Sequence, residues 1–352
     1  MDGSVRRRGA RWARWLVRTC ACCLTAGTIV ATAGAVHASA VPLPSNSYWK
    51  AFQPEASAIA VGSDLGRGPL IGFQNVRETV WAKEGSLNVG WTDEKTGAQS
   101  FAVASDPSNG PLIAILDDTG SVWAKEGSLD AGWVFEQSGV RALAVASDPN
   151  NGPLIAILDD TGSVWAKEGS LNATWTEEQT NVRSLAVASD PSNGPLIAIV
   201  DNTGTAWAKK GSLTAGWTEE QTGIRSVAVA SDPSNGPLLA TVDNTGTAWA
   251  EEGSLTVGWT EEQTDVRSVA VASDPSNGPL LAVLDGSHTA WAKEGTINAG
   301  WTRERGRVRS LAVASDAQNG PLIAVLDHDC TVWVKEGSLD AGWVFEKGSG
   351  RD

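Results

Sequence analysis

The sequence predicts an all-β fold, a seven-bladed β-propeller, on two observations. The first is a tandem repeat of 42 residues, in which the aspartate of a Ser-Asp pair recurs at 64, 106, 148, 190, 232, 274 and 316 without an insertion or deletion. The second is that each repeat holds four short runs of strand character separated by Gly, Pro, Asn, Asp and Ser. Four strands in a unit of about 40–45 residues are typical of a propeller blade, so seven units predict seven blades.

The four antiparallel strands follow in order within one repeat. Residues 140–147 alternate Leu and Val on one face with Ala on the other, and 153–158 are apolar on both faces, as in a covered central strand. Residues 163–167 follow an Asp-Asp-Thr-Gly turn, and 175–178 mix one Trp with polar residues, as near a sheet edge. Breakers recur every eight to twelve residues and no helical period appears, so helices are not expected.

Ring closure needs one further expectation. A trefoil requires a multiple of three units, and a solenoid requires atypical capping units, whereas the terminal units here resemble the inner ones. Part of an eighth copy surrounds Trp49, so residues 48–52 and 343–346 compete for one outer strand position. We expect one of them to complete the last blade.

The first forty residues have the pattern of a secretory signal peptide. A basic segment from Arg6 to Arg18 precedes an uncharged apolar stretch, and an Ala-Ser-Ala box ends at Ala40. A membrane anchor is the weaker interpretation, because Thr and Gly interrupt the stretch. We therefore expect a secreted chain cleaved after Ala40, with 41–352 forming the propeller and Cys330 as its single thiol.

Charge excludes several kinds of partner. The chain carries a net charge of −14, and residues 41–352 hold 21 basic and 40 acidic side chains. Binding to a phosphate backbone or to an anionic membrane surface requires a basic surface, so neither nucleic acid nor membrane insertion is expected. We expect a monomer.

No catalytic or metal site is predicted, and no cofactor. An active site is one asymmetric constellation, whereas every candidate here recurs seven times. His288 and His328 are interpreted as turn substitutions and Cys330 as an incidental thiol, and the adjacent Glu177 and Glu178 should point to opposite faces of a strand. The repeated Asp-Pro-Ser-Asn-Gly segment has part of a calcium-loop pattern but is also ordinary turn chemistry.

Repeated binding of a small polar ligand is the remaining possibility. In an antiparallel meander the Ser-Asp-Pro-Ser-Asn-Gly loop and the Lys-Glu-Gly-Ser-Leu-Asn-Ala-Gly loop emerge on one face, which would collect Asp, Asn and Trp side chains. Sugars use this mixture, because their hydroxyls need acceptors and donors and their C–H faces stack on aromatic rings. The candidate ligand-binding residues are Asp106, Asn109, Trp133, Asp148, Asn151, Trp175, Asp190, Asn193, Trp217, Asp232, Asn235, Trp259, Asp274, Asn277 and Trp301.

Purely structural roles stay open for the same residues. Asp148 and its copies would equally satisfy loop N–H groups, and Trp133 and Trp175 would equally pack in the core. Trp123 and Trp165, flanked by Val or Ala, are expected in the core. The Lys167-Glu168 pair changes to Lys-Lys and Glu-Glu in the next two repeats, so it is left out of the site.

Three runs carry a family resemblance: Gly132-Trp133, Val140 to Val145 and Thr161 to Ala166. They resemble the Trp-rich blades of tectonin and tachylectin-2 type propeller lectins over residues 49–346. The resemblance implies that the Ala-faced strand lines the channel and the Gly-Trp strand lies outermost. It also implies a multivalent carbohydrate-binding protein for glycans such as N-acetylated sugars. A protein-interaction scaffold or a structural propeller without sugar affinity is the alternative.

Overall fold

Seven four-stranded antiparallel sheets, arranged as blades in a closed ring, form this protein. The computed structural model describes residues 55–64 and 66–347, together with 31–32 and 35–36. This confirms the predicted seven-bladed β-propeller. No helix in this part of the chain has the length and apolar character needed to cross a membrane.

Each blade is built from four consecutive strands, numbered here from the inner to the outer strand. The inner strands are Ala56–Asp64, Ala98–Asp106, Val140–Asp148, Val182–Asp190, Ile224–Asp232, Val266–Asp274 and Val308–Asp316. The second strands are Gly68–Asn75, Gly110–Asp117, Gly152–Asp159, Gly194–Asp201, Gly236–Asp243, Gly278–Asp285 and Gly320–Asp327. The third strands are Val80–Glu84, Val122–Glu126, Val164–Glu168, Ala206–Lys210, Ala248–Glu252, Ala290–Glu294 and Val332–Glu336. The outer strands are Thr92–Lys95, Val134–Gln137, Thr176–Gln179, Thr218–Gln221, Thr260–Gln263, Thr302–Arg305 and Val344–Lys347.

The strand bounds agree with the sequence prediction to within one residue in the repeat that was analysed. The Ala-faced strand is innermost and the strand after Gly-Trp is outermost, as the resemblance implied. Ala31–Thr32 pairs antiparallel with Ala35–Val36, and this pair of strands lies inside the ring. Ala31–Thr32 runs parallel to the inner strand of blade 5, and together the two strands contact the inner strands of all seven blades. The rest of the predicted signal peptide, 1–40, lies outside the described residues.

The core lies between neighbouring blades rather than within one sheet. The small face of blade 3, with Ala144, Ala146 and Ala156, packs against Leu185, Ile197 and other branched side chains of blade 4. Small residues on one blade thus admit large residues from the next, which fills the space between sheets at close packing. This alternation explains the Ala-faced strand in every repeat.

Blades 7 and 1 close the ring by the same contacts that join other blades. The inner strand of blade 7 packs against that of blade 1, and the Ala56 amide donates to the Cys330 carbonyl oxygen at 3.2 Å. Val344–Lys347 forms the outer strand of blade 7 on Val332–Glu336, the strand that precedes it in the chain. Residues 48–52 lie outside the described part of the chain.

Candidate functional site

The two predicted loops do emerge together on one face. In blade 3, the Gly169 amide donates to the Pro153 carbonyl oxygen at 3.0 Å. Gly152 has φ +74, and a Cβ there would lie 2.9 Å from the Gly169 oxygen, so only glycine allows this approach. The loop between the inner and second strands therefore lies directly against the loop that leads to Trp175.

The predicted ligand carboxylates on this face are engaged within the protein. Asp148 Oδ1 accepts the backbone N–H groups of Asn150 and Asn151, both at 2.9 Å, and Asp148 Oδ2 accepts the Ser189 hydroxyl of the next blade. Asp148 is only 2% exposed. The same buried arrangement holds for Asp106, Asp190, Asp232 and Asp274.

The amide side chains have the same internal role. The Asn151 Nδ2 donates to the Asp148 carboxylate at 3.0 Å, and the equivalent bond is made by Asn109, Asn193, Asn235 and Asn277. Four of these amides also donate to an aspartate carbonyl oxygen of the next blade: those of Asn109, Asn193, Asn235 and Asn277. The predicted Asp and Asn residues thus meet one another and link adjacent blades.

A complete ring of Ser-Asp hydrogen bonds surrounds the channel. In each blade the serine at the end of the inner strand donates to the aspartate of the preceding blade, and Ser63 donates to Asp316 where the ring closes. A cavity of about 130 Å³ on the axis is lined by these serines and by small Ala and Gly residues. The described side chains that line this cavity repeat around the ring, so among them there is no asymmetric set of reactive groups.

A second ring, of buried lysines, joins the blades further out. Lys167 of blade 3 bonds to Glu136 of blade 2 and to the Leu171 carbonyl oxygen. Lysine and glutamate side chains in these pairs are at most 4% exposed. The six pairs are Lys83–Glu346, Lys125–Glu94, Lys167–Glu136, Lys209–Glu178, Lys293–Glu262 and Lys335–Glu304.

Burial is the main influence on these glutamates. It raises the pKa of Glu136, and the Lys167 ammonium offsets part of that rise by hydrogen bond and charge. The joint between blades 4 and 5 lacks such a pair, because Glu251 of blade 5 stands in the lysine position and faces Glu220 of blade 4. The sequence did carry a signal for this ring: the residue two after the third-strand Trp is Lys in every repeat except the fifth.

All fourteen tryptophans of the described repeats are partly buried near these blade joints. Trp165, expected in the core, keeps part of its ring exposed on the third strand and donates its indole N–H to Asp159 at 3.0 Å. Trp175 on the outer side donates its N–H to the Glu136 carbonyl oxygen of blade 2 at 3.4 Å. Where the indole N–H groups are bonded internally in this way, ring faces are what the indoles can offer a ligand.

The predicted indoles keep this arrangement in most blades. Trp133, Trp217 and Trp301 donate to a carbonyl oxygen of the preceding blade, and Trp259 is partly buried like the others.

Partial burial raises the pKa of Asp159, but hydrogen bonds from Thr161, Ser163 and Trp165 outweigh it and hold that pKa below its ordinary value. The carboxylate therefore stays ionised as the acceptor that orients Trp165.

Two indoles of one blade and a long side chain of the preceding blade form what we call an inter-blade cleft. At the joint of blades 1 and 2, Lys95 Nζ lies 4.5 Å from the Trp123 ring centre and 5.7 Å from that of Trp133. Arg305 lies 4.0 and 5.7 Å from Trp333 and Trp343 in the same way. One side chain thus lies close to both rings.

The last residue of the outer strand varies from cleft to cleft. It is Lys95, Arg305 or Lys347 at three joints and Gln137, Gln179, Gln221 or Gln263 at the other four. The sequence alone does not identify this cleft, since its three side chains come from two blades and its polar residue differs between repeats. The one indication of this cleft in the sequence is a repeat position that changes among Lys, Gln and Arg.

The two histidines lie across the joint of blades 6 and 7. Their rings are 4.5 Å apart and edge to face, and both are partly buried rather than fully exposed. Burial, followed by His288 and nearby arginines, lowers the pKa of His328. Among the described residues, no group of three or more His, Cys, Asp or Glu side chains is placed to hold a metal ion.

Solved structures share this fold at low sequence identity. No protein-family model and no curated protein sequence matches the chain. The BP39L lectin from Burkholderia pseudomallei is similar with a TM-score of 0.63 and 12% identity, covering 84% of this chain and 100% of the lectin. BBS1N, from its complex with ARL6DN, is similar with a TM-score of 0.56 and 9% identity, covering 78% of this chain and 88% of BBS1N. One of these propellers is a lectin and the other was solved with a protein partner, so the likeness establishes the fold alone.

Proposed function

We propose that the protein is a secreted, monomeric, multivalent carbohydrate-binding protein whose ligands occupy the inter-blade clefts. The observation that carries this proposal is the repeated pair of partly exposed indoles, one from a third strand and one from an outer strand, at each joint. Seven clefts with the same pair of indoles, set around one ring, suit a surface that displays many copies of a glycan, because linked weak sites gain avidity.

The chemistry of the cleft fits a sugar. A pyranose has C–H faces that stack on an aromatic ring and hydroxyl edges that need hydrogen-bond partners. The cleft between blades 3 and 4 supplies both, with Trp207 and Trp217 as rings, Gln179 as an amide and exposed Glu219 as an acceptor opposite Trp207. By the family resemblance, N-acetylated sugars are the first ligands to examine.

This proposal moves the ligand away from the loop face. The Asp148 carboxylate and the Asn151 amide donor are bonded to each other and to the loop backbone. A sugar hydroxyl would have to compete with those bonds, and the buried groups would lose satisfied partners, which is costly. Of the residues predicted from sequence, the tryptophans belong to the proposed site, while Asp and Asn shape the loops.

A glycan array probed with the full chain tests the proposal. We expect binding to a defined subset of glycans, and titration with a bound glycan should shift tryptophan emission, because all the indoles of the repeats lie at the joints. An array blank for both neutral and acidic glycans would contradict the proposal and favour the alternative, a scaffold that binds proteins.

A further inference from the structure

Two of the inter-blade clefts differ chemically from the rest. At the position opposite the third-strand indole, blades 2 and 7 carry Phe135 and Phe345, which are 51% and 57% exposed. The other blades carry a charged residue there: Asp93, Glu177, Glu219, Glu261 or Arg303. Residues 127–136 and 337–346 are identical, so the same exception occurs twice.

Each exposed phenyl ring belongs to an aromatic group that holds a cation. Phe135 packs edge-on against Trp123 at 5.4 Å, and Phe345 packs the same way against Trp333 at 5.6 Å. Lys95 lies over the first indole and Arg305 over the second. Three rings and one cation therefore surround each of these two clefts, with no carboxylate opposite the indole. The Asp327 carboxylate does act on Arg305 from blade 7, but it also accepts the Trp333 N–H.

We propose that the clefts between blades 1 and 2 and between blades 6 and 7 bind acidic carbohydrate. This rests on the proposed function and assigns the ligand class of two of its sites. The carboxylate of a uronic acid or similar sugar pairs with Lys95 or Arg305, while the C–H face of the sugar lies on the indole and phenyl rings. The clefts with Gln and an exposed Glu repel such a carboxylate and take neutral sugars.

Binding of a glycan ending in glucuronic acid, compared with the matched glycan ending in glucose, tests this assignment. We expect the full chain to bind the acidic glycan with a salt-dependent affinity. The double change Lys95→Gln with Arg305→Gln should lower acidic-glycan binding about tenfold or more, while the clefts of the unchanged joints still bind the glucose glycan. Arg77→Gln with Arg267→Gln is the matched control, because it removes two exposed cations outside the clefts, and it should leave acidic binding intact.

The possible outcomes distinguish failure of this assignment from failure of the proposed function, carbohydrate binding. Binding of neutral glycans with no acidic binding would overturn the assignment and leave the proposed function standing. Acidic binding that survives the double change would also overturn it. Absence of both kinds of binding would overturn the proposed function itself.

A separate observation concerns the joint between blades 4 and 5, where two buried carboxyl groups meet. Glu251 is 1% exposed and lies against Glu220 of the preceding outer strand. Elsewhere in the ring this position holds a lysine ammonium that bonds to the facing glutamate. Gly258 has φ +99 and turns its backbone N–H toward Glu251, a conformation that glycine alone adopts easily.

No cation neutralises this pair in the described part of the chain. At the two neighbouring joints, Lys209 of blade 4 is bonded to Glu178 and Lys293 of blade 6 is bonded to Glu262. Glu219 and Glu252 are the other charged residues on the two strands, and Lys210 and Glu261 lie on the strands paired with them. Two buried like charges in contact are unstable, so one carboxyl must be neutral.

We propose that blades 4 and 5 are joined by a proton shared between Glu220 and Glu251, which makes this the joint that loosens in alkaline solution. Burial and then Glu251 raise the pKa of Glu220 to about 9. A raised folded-state pKa means that the stabilisation is fully present below the ordinary glutamate pKa, falls as pH rises above it and is lost by about pH 9. The loop of residues 253–259, which carries Trp259, should loosen with it.

Thermal melting of the full chain between pH 6 and pH 10 tests this joint. We expect the Tm of the parent chain to fall steadily from pH 6 to about pH 9 and to level off above it, and Glu251→Lys, which restores the repeated ion pair, to remove about 3 °C or more of that fall. Glu251→Gln keeps a neutral hydrogen-bonding side chain and should also flatten the profile. Parallel profiles for all three chains would overturn the proposal, as would a Ca²⁺-dependent rise in Tm at pH 9 that only the parent shows.

Discussion

The inner and outer halves of the propeller differ in how much they vary around the ring. The inner half repeats one Ser-Asp hydrogen bond seven times without exception, including the bond between Ser63 and Asp316 that closes the ring. The outer half keeps its plan but changes its residues, with one Glu251 among six lysines and three kinds of cleft side chain. The contrast indicates that closure fixes the residues of the inner half, while those of the outer half are free to vary.

Breaking one buried ion pair should give the largest loss of stability. Lys167→Met leaves the Glu136 carboxylate buried without its ammonium, so we expect the free energy of unfolding to fall by about 3–5 kcal/mol in urea titration. The double change Lys167→Met with Glu136→Leu removes both charges and should recover most of the loss. Equal losses for the single and double changes would show that packing, and not charge, explains the effect.

Removing one inner-ring carboxylate should have the next largest effect. Asp148→Ala leaves two loop N–H groups and the Ser189 hydroxyl without their acceptor, at an expected cost of about 2–3 kcal/mol. Asp159→Ala, at an exposed turn of the same blade, is the matched outer control and should cost about 1 kcal/mol. If the outer change cost as much as the inner one, the contrast between the two halves would fail.

Blade 1 offers a packing version of the same comparison. A Cβ at Gly72 would lie 2.5 Å from the Phe101 ring of blade 2, where the other blades pair Ala with a smaller branched side chain. Gly72→Ala should therefore cost about 1–3 kcal/mol by overpacking, measured by urea unfolding. Adding Phe101→Leu should restore most of the stability. If it does not, small residues on one blade do not make room for large residues of the next, and the packing account is wrong.

Acid should produce the smallest effect, and it should act on the outer turns. The pKa is below its ordinary value at the turn carboxylates Asp117, Asp159, Asp201, Asp243 and Asp285. Partial burial raises this pKa, but hydrogen bonds from Thr or Ser hydroxyls, backbone N–H groups and an indole lower it by more than burial raises it. A lowered folded-state pKa gives stabilisation that is present above the ordinary Asp range and lost as pH falls through the folded value. Tm should therefore decline below about pH 4, less steeply in Asp159→Asn, and a flat profile would contradict this.

Most of the fold could be predicted from the repeat, because the period, the strand pattern and the turn residues agree in every copy. The strands around Val140 and Pro153 were found from alternation and breakers alone. The site was harder to predict, since a loop Asp has the same letters whether it binds a sugar or its own backbone. Only the three-dimensional hydrogen bonds of Asp148 distinguish the two.

Contacts between neighbouring blades could not be predicted from the sequence for a similar reason. Lys167 and Glu136 are 31 residues apart and in different repeats, so neither one suggests the other until the blades are placed side by side. The cleft combines Gln137 with Trp165 and Trp175 in the same way. Correlation of charge between neighbouring repeats would have been the useful sequence test.

Calorimetric titration of a glycan found on the array would test the central claim, that ligands lie in the inter-blade clefts, most directly. Trp165→Leu alters a cleft and leaves the loops, whereas Asn151→Ala alters a loop and leaves the clefts, and both chains should first be shown to melt cooperatively. We predict that the number of binding sites per chain falls by one in Trp165→Leu and is unchanged in Asn151→Ala. A site lost in Asn151→Ala and retained in Trp165→Leu would place the ligand on the loop face and contradict the account.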